Sequence, residues 1–202
     1  MNPYVATGLA MCLVILIALV GTAYLAVYFT RRAKADVLRL LTPLAELTDG
    51  EADVDEAEVK GKWKDTIVLG RMANAAAGTV TLWQSDLIDS AGGETWNFVY
   101  SRPNPKKKDP AEEIEIVTES AEIRSWLETW TAEDIAPIQP LETDWVQVEY
   151  SPEAGSIRVA RPIKGRNQIP TADAFASDLD FAYAIGAENR QRQESLNIEE
   201  TE

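Results

Sequence analysis

The sequence predicts an α+β protein, with a single N-terminal transmembrane helix followed by an antiparallel sheet of hairpins covered by two amphipathic helices. Three observations carry this reading. Val5 to Thr30 is a run of 26 residues with no charged side chain; several later runs alternate apolar and polar residues; and two further segments repeat apolar residues at helical spacing. The organisation that follows is a membrane anchor over 1–30, a basic then acidic juxtamembrane helix and linker over 31–62, an α+β domain over 63–190, and a disordered acidic tail over 191–202.

The first element is long enough to cross a bilayer. At about 1.5 Å per residue the uncharged run exceeds a hydrocarbon core of roughly 30 Å. Tyr4 at one end, and Tyr24 and Tyr28 at the other, are placed where amphipathic rings settle at the headgroup level. A cleaved signal peptide fits less well, because no Lys or Arg precedes the run, the run is long, and its small-residue site at Gly21 and Ala23 lies inside it. Arg31, Arg32, Lys34 and Arg39 all follow the span, so the positive-inside rule places the N-terminus outside and the domain in the cytosol, at the cell (plasma) membrane. Ala18, Thr22 and Ala26 recur every four residues and form a candidate helix-pairing stripe.

Beyond the span, Val37, Leu40 or Leu41, Leu44 and Leu47 keep helical spacing, which predicts that the helix continues and packs on its own domain. Pro43 is then a kink or the start of a new helix capped by Thr42. The basic segment followed by Pro43, Leu44, Leu47 and Gly50-Glu51 resembles the start of a HAMP signalling linker. The resemblance covers about twenty residues and stops there, since the chain goes on as GKWKDTIVLG, which reads as a strand rather than a second amphipathic helix. The acid-rich stretch from Asp49 to Glu58 lacks the Gly and the bidentate Glu of a calcium-binding loop, having Val54 and Lys60 at those positions, and reads as a solvated spacer.

In the domain, Thr79 to Trp83 and Thr95 to Arg102 read as a hairpin with a long loop containing Gly92-Gly93; Trp96, Phe98 and Tyr100 share one face. Glu113 to Val117 adds a strand. Val146, Val148 and Tyr150, a turn over Ser151 to Gly155, and Ile157 and Val159 read as a second hairpin. One helix starts at the N-cap Ser120, runs to about Glu133 and stacks Ile123, Trp126, Leu127 and Trp130. Another starts at Thr171 and buries Phe175, Leu179, Ala182 and Ile185, with Arg190 and Arg192 near its end.

Composition narrows the chemistry. The chain has no histidine, 19 basic and 33 acidic residues, and a net charge of −14. Nucleophile pairs and metal sites that use His are closed to it, and its charge is the wrong sign for nucleic acid. No G-x-S-x-G elbow, P-loop, dinucleotide glycine fingerprint or paired-Cys motif occurs; no catalytic residue, cofactor or metal ligand is assigned. Trp63, Trp83 and Trp145 fall off the apolar faces of their strands and are candidates for an exposed contact surface. Lys106, Lys107 and Lys108, between Pro103 and Pro110, are a second candidate, for an acidic partner or anionic lipid. The expected function is a protein-binding module or accessory subunit of a membrane assembly, with the lipid bilayer and a protein partner or a second copy as its contacts. A membrane-tethered carboxylate-dependent hydrolase and a dimeric signalling linker are the alternatives.

Overall fold

A computed structural model describes residues 3–75, 80–88, 92–101, 113–130, 132–135, 138 and 145–199. The fold is α+β, with a long apolar N-terminal helix, an eight-stranded antiparallel sheet and further helices. Helix α1 spans Pro3–Leu47 without interruption, with Pro43 inside it. It is the one helix among the described residues long and apolar enough to cross a membrane. Large apolar side chains from Met11 to Phe29 are exposed along its free part, from 46% to 69%. That state is stable in lipid, where a helix satisfies its own backbone.

The strands are β1 Glu51–Asp53, β2 Glu58–Trp63, β3 Thr66–Asn74, β4 Thr81–Ile88, β5 Trp96–Ser101, β6 Glu113–Val117, β7 Trp145–Ser151 and β8 Ser156–Ile163. Their order in the sheet is β1-β2-β3-β4-β8-β7-β5-β6. The predicted β7–β8 hairpin forms, pairing Tyr150 with Ile157 and Val148 with Val159. The predicted hairpin between the fourth and fifth strands does not. β4 instead pairs with β3 and β8, and β5 lies between β7 and β6. The hydrophobic pattern fixes which face of a strand is inward, but not which neighbour it takes.

One face of the sheet is covered by α1, α2 (Ala121–Leu127), α3 (Ala132–Ile135) and α4 (Ala172–Glu199). Helix α2 has the predicted cap, with Ser120 Oγ accepting from Ile123 N at 3.3 Å. It is shorter than predicted: the chain turns after Glu128 and resumes as α3. Helix α4 buries Phe175, Leu179, Ala182 and Ile185 as predicted. It also continues to Glu199, past the point where a disordered tail was predicted. Its later turns have partners in the domain: Arg192 pairs with Glu122 at 3.1 Å, and Gln193 lies over Gly93, where φ is +98° and an added Cβ would collide with it.

The acidic spacer is corrected more sharply. Asp49 to Glu58 is the outer hairpin of the sheet rather than a linker, with Asp53 Oδ1 accepting from the Asp55 and Glu56 amides at its turn. The end of α1 is built into the core as well, since Val37, Leu41, Leu44 and Ala45 are buried. The Lys62 amide donates to the Thr48 carbonyl at 2.7 Å, and the Gly50 amide to the Ala45 carbonyl at 2.8 Å. Gly50 and Gly61 permit this approach: a Cβ at Gly50 would strike the Lys60 backbone, and one at Gly61 the Thr48 side chain and carbonyl. The long apolar segment and the domain therefore share one helix, whose end is part of the domain core.

Candidate functional site

Three regions bring charged and aromatic side chains together. The first is the end of the sheet from which α1 arrives. Lys34 meets Asp55, in the β1–β2 turn, at 2.5 Å. Thr48, at the other end of the packed segment, meets Lys62 near the far end of β2. So α1 runs along the sheet from the Asp53–Glu58 end toward the Trp63 end. Arg31, Arg32 and Arg39 are exposed on it, and Tyr24 and Tyr28 are 69% and 46% exposed. Tyr28 packs edge-on to Phe29 with centroids 5.7 Å apart, and Tyr4 at the distal end is 85% exposed. Ala18, Thr22 and Ala26 lie on the free part of the helix, where Thr22 spends its hydroxyl on the Leu19 carbonyl at 2.9 Å.

The second region is the open face of the sheet. In-register rows place Glu58, Arg71, Gln84, Ala160 and Gln147 side by side, and next to them Lys60, Leu69, Asp86, Arg158 and Glu149. Asp86, 3% exposed, is held by Arg158 through two bonds of 2.7 and 3.1 Å, with Arg71 at 3.6 Å. The hydrogen bond to Asp86 holds the Arg158 guanidinium above its ordinary pKa, against the opposing effect of burial. Alternation across β4, β8 and β7 could have revealed this row, but the pairing that assembles it needed the strand order. Trp145 starts β7 and is half-buried.

The third region is buried between sheet and α4. Trp83 Nε1 donates to Ser85 Oγ at 3.1 Å, Ser85 Oγ donates to Asp178 Oδ2 at 3.1 Å, and Arg161 Nη2 pairs with Asp178 Oδ1. Arg161 also reaches the Ile138 carbonyl at 3.4 Å. Burial lowers the Arg161 pKa to about 10, which leaves it charged at neutral pH beside the Asp178 carboxylate. This network overturns the prediction for Trp83, which is fully buried and packs edge-on against Phe175 with centroids 6.0 Å apart. β4 buries both of its faces, with Leu82 and Asp86 on one and Trp83, Ser85 and Leu87 on the other, so its pattern is not one of simple alternation. Ser85 is a hydroxyl between an acid and an indole, but with no exposed surface its position is a packing role.

Of the other predicted contacts, Trp63 is half-buried and its Nε1 donates to Asp180 Oδ1 at 3.0 Å; Lys64 joins the same carboxylate at 2.8 Å. The structure does not bring Trp63 and Trp145 together: one ends β2 near the sheet edge, the other begins β7. Lys106, Lys107 and Lys108 lie outside the described residues; Ser101 and Glu113, which bound that segment, pair with each other. A cleft of about 230 Å³ between α2, α3 and α4 is lined by Thr129, Trp130, Asp134 and Glu188. Its Glu188 carboxylate accepts from Trp126 Nε1 at 3.2 Å. Among the described residues no group of three or more acids or Cys is placed to hold a metal ion. Comparison of the chain with protein-family models, with curated proteins and with solved structures finds no match.

Proposed function

We propose that this is a single-pass protein of the cell membrane, N-terminus outside, whose cytosolic α+β domain binds a protein neighbour as an accessory subunit of a membrane assembly. The observation that supports it is the unbroken passage of α1 from the uncharged run into the core, where Leu41 and Leu44 are fully buried. A domain fused to its anchor in this way holds one height and one orientation above the lipid. A partner that docks on it does not have to order a flexible tether first, and that ordering is a main cost of association. The open face of the sheet, with Arg158 and, from the neighbouring row, Arg71 on Asp86, offers a surface that combines a fixed backbone with polar groups already paired.

The test is to tag the protein in its native membrane, solubilise it gently and measure stoichiometry. A protein recovered at fixed ratio, and lost on Arg158→Glu, supports the reading. Recovery as a lone monomer under every gentle condition would sink it. Topology is tested separately with a reporter fused to the C-terminus: activity confined to the extracytoplasmic side would reverse the orientation.

A further inference from the structure

We propose that the membrane-facing end of the domain is itself a lipid-docking surface, in which Lys164 and Arg166, on the loop between β8 and α4, rest on anionic headgroups of the bilayer that α1 spans. The inference builds on the membrane-anchored reading above. The α1 helix enters from the Asp53–Glu58 end of the sheet, and the register carries that end across the strands through Glu58, Arg71, Gln84 and Ala160. Ile163 lies three residues beyond Ala160 along β8, about 10 Å further in the same direction at a strand rise of roughly 3.4 Å. Lys164 and Arg166 follow at once, both exposed, and the 3-10 turn Arg166–Gln168 packs on α1.

Height agrees with direction. The uncharged run ends at Thr30, and Lys34, which touches the β1–β2 turn, is only about 6 Å further along the helix. The headgroup layer of one leaflet is about 5–8 Å thick, so this end of the sheet stands at its outer boundary. Charge separates the same end into two parts. The acids Asp53, Asp55 and Glu56 belong to the outer hairpin; Asp55 is paired with Lys34, and Asp53 accepts two backbone amides. Asp36 is exposed on α1. Lys164 and Arg166 leave β8, three strands in from β2, about 14 Å away from those hairpin acids and beyond a Debye length of about 8 Å. On a chain of net charge −14, two exposed cations stand beside the long apolar helix and three strands away from the acidic hairpin, while the adjoining elements carry the exposed acids Asp36, on α1, and Asp173, in the first turn of α4.

The test uses the full chain in nanodiscs, either of phosphatidylcholine alone or with about a third of the lipid replaced by phosphatidylserine. Acylation of individual lysines is followed by mass spectrometry. Lys164 is expected to react about fivefold more slowly in the anionic discs, while Lys62 near the opposite end of the sheet reacts equally in both. The difference should shrink in about 1 M salt, where screening reaches about 3 Å, and in Arg166→Glu. Equal Lys164 rates in both lipids, with the chain recovered in the discs, would overturn the docking surface alone. Failure of the chain to enter discs of either kind would overturn the anchored reading and the docking with it.

Discussion

Asp178→Ala removes the one carboxylate among the described residues that the buried Arg161 guanidinium meets beneath α4. Asp178 is 0% exposed and Arg161 4%, so water cannot replace the lost partner without opening the contact between helix and sheet. Among the described residues Arg161 would keep only the 3.4 Å bond to the Ile138 carbonyl, and its Nε has no hydrogen-bond partner there. Ser85 would lose the acceptor for its hydroxyl while still accepting from Trp83. Breaking a buried pair from one side costs about 3–5 kcal/mol, because the remaining charge stays desolvated. For a domain of this size that is a fall in Tm of about 6–20 °C. The assay is thermal unfolding of the full chain in detergent, followed by tryptophan fluorescence, with Trp83 inside the network as a local reporter. The double variant Arg161→Met with Asp178→Leu removes both charges and should recover most of the loss, since well-packed apolar replacements of buried pairs are often neutral or better. A single variant within about 1 kcal/mol of the parent, or a double variant worse than the single, would refute the argument that uncompensated burial sets the cost.

Other expectations follow from the same packing. Trp83→Ala should destabilise by about 3–5 kcal/mol in denaturant melts, whereas Trp145→Ala, at a half-buried site, should cost clearly less; equal costs would contradict their assigned burial. Gly61→Ala should cost about 1–3 kcal/mol, because its Cβ would push Thr48 off β2, and amide exchange at Lys62 should rise in that variant if the contact is lost. Lys34→Ala should change the melting curve by less than about 1 kcal/mol, since both members of its pair with Asp55 are more than half exposed.

The acidic stretch and the indoles show where reading the chain reached its limit. Asp49 to Glu58 alternates only weakly: Ala52 and Val54 sit between acids and turn inward with Ala57, but small apolar residues among so many charges do not separate a spacer from an edge hairpin. It becomes a hairpin because β2 and β3 offer it a backbone ladder and α1 delivers it to that edge. Trp83 looked outward because one-faced alternation assigns a strand a single buried side, and β4, in the middle of the sheet, has two. The Arg161–Asp178 contact joins β8 to α4, and no spacing along the sequence relates it to the Ser85–Trp83 pair on β4. By contrast, the Ser120 cap, the Phe175 to Ile185 stripe and the β7–β8 turn were all legible, because each is settled by residues within a few positions of one another.

The sequence by itself determined an uncharged helix long enough to span a bilayer, a basic collar after it, an α+β domain, and a histidine-free composition that narrows its chemistry. These are properties of composition and short-range periodicity, and local physics suffices for them. The stripe from Val37 to Leu47 also predicted that this helix packs on its own domain, and it does; only the tertiary structure decided which elements it meets there, that the acidic stretch is the sheet's edge, and that Lys164 and Arg166 share an end with the long apolar helix. Those depend on strand order and on where α1 lies across it. They are set by burying Val37, Leu41 and Leu44 in the core, where α1 meets the adjoining β1 and β2 and, from far along the chain, the 3-10 turn Arg166–Gln168 and α4.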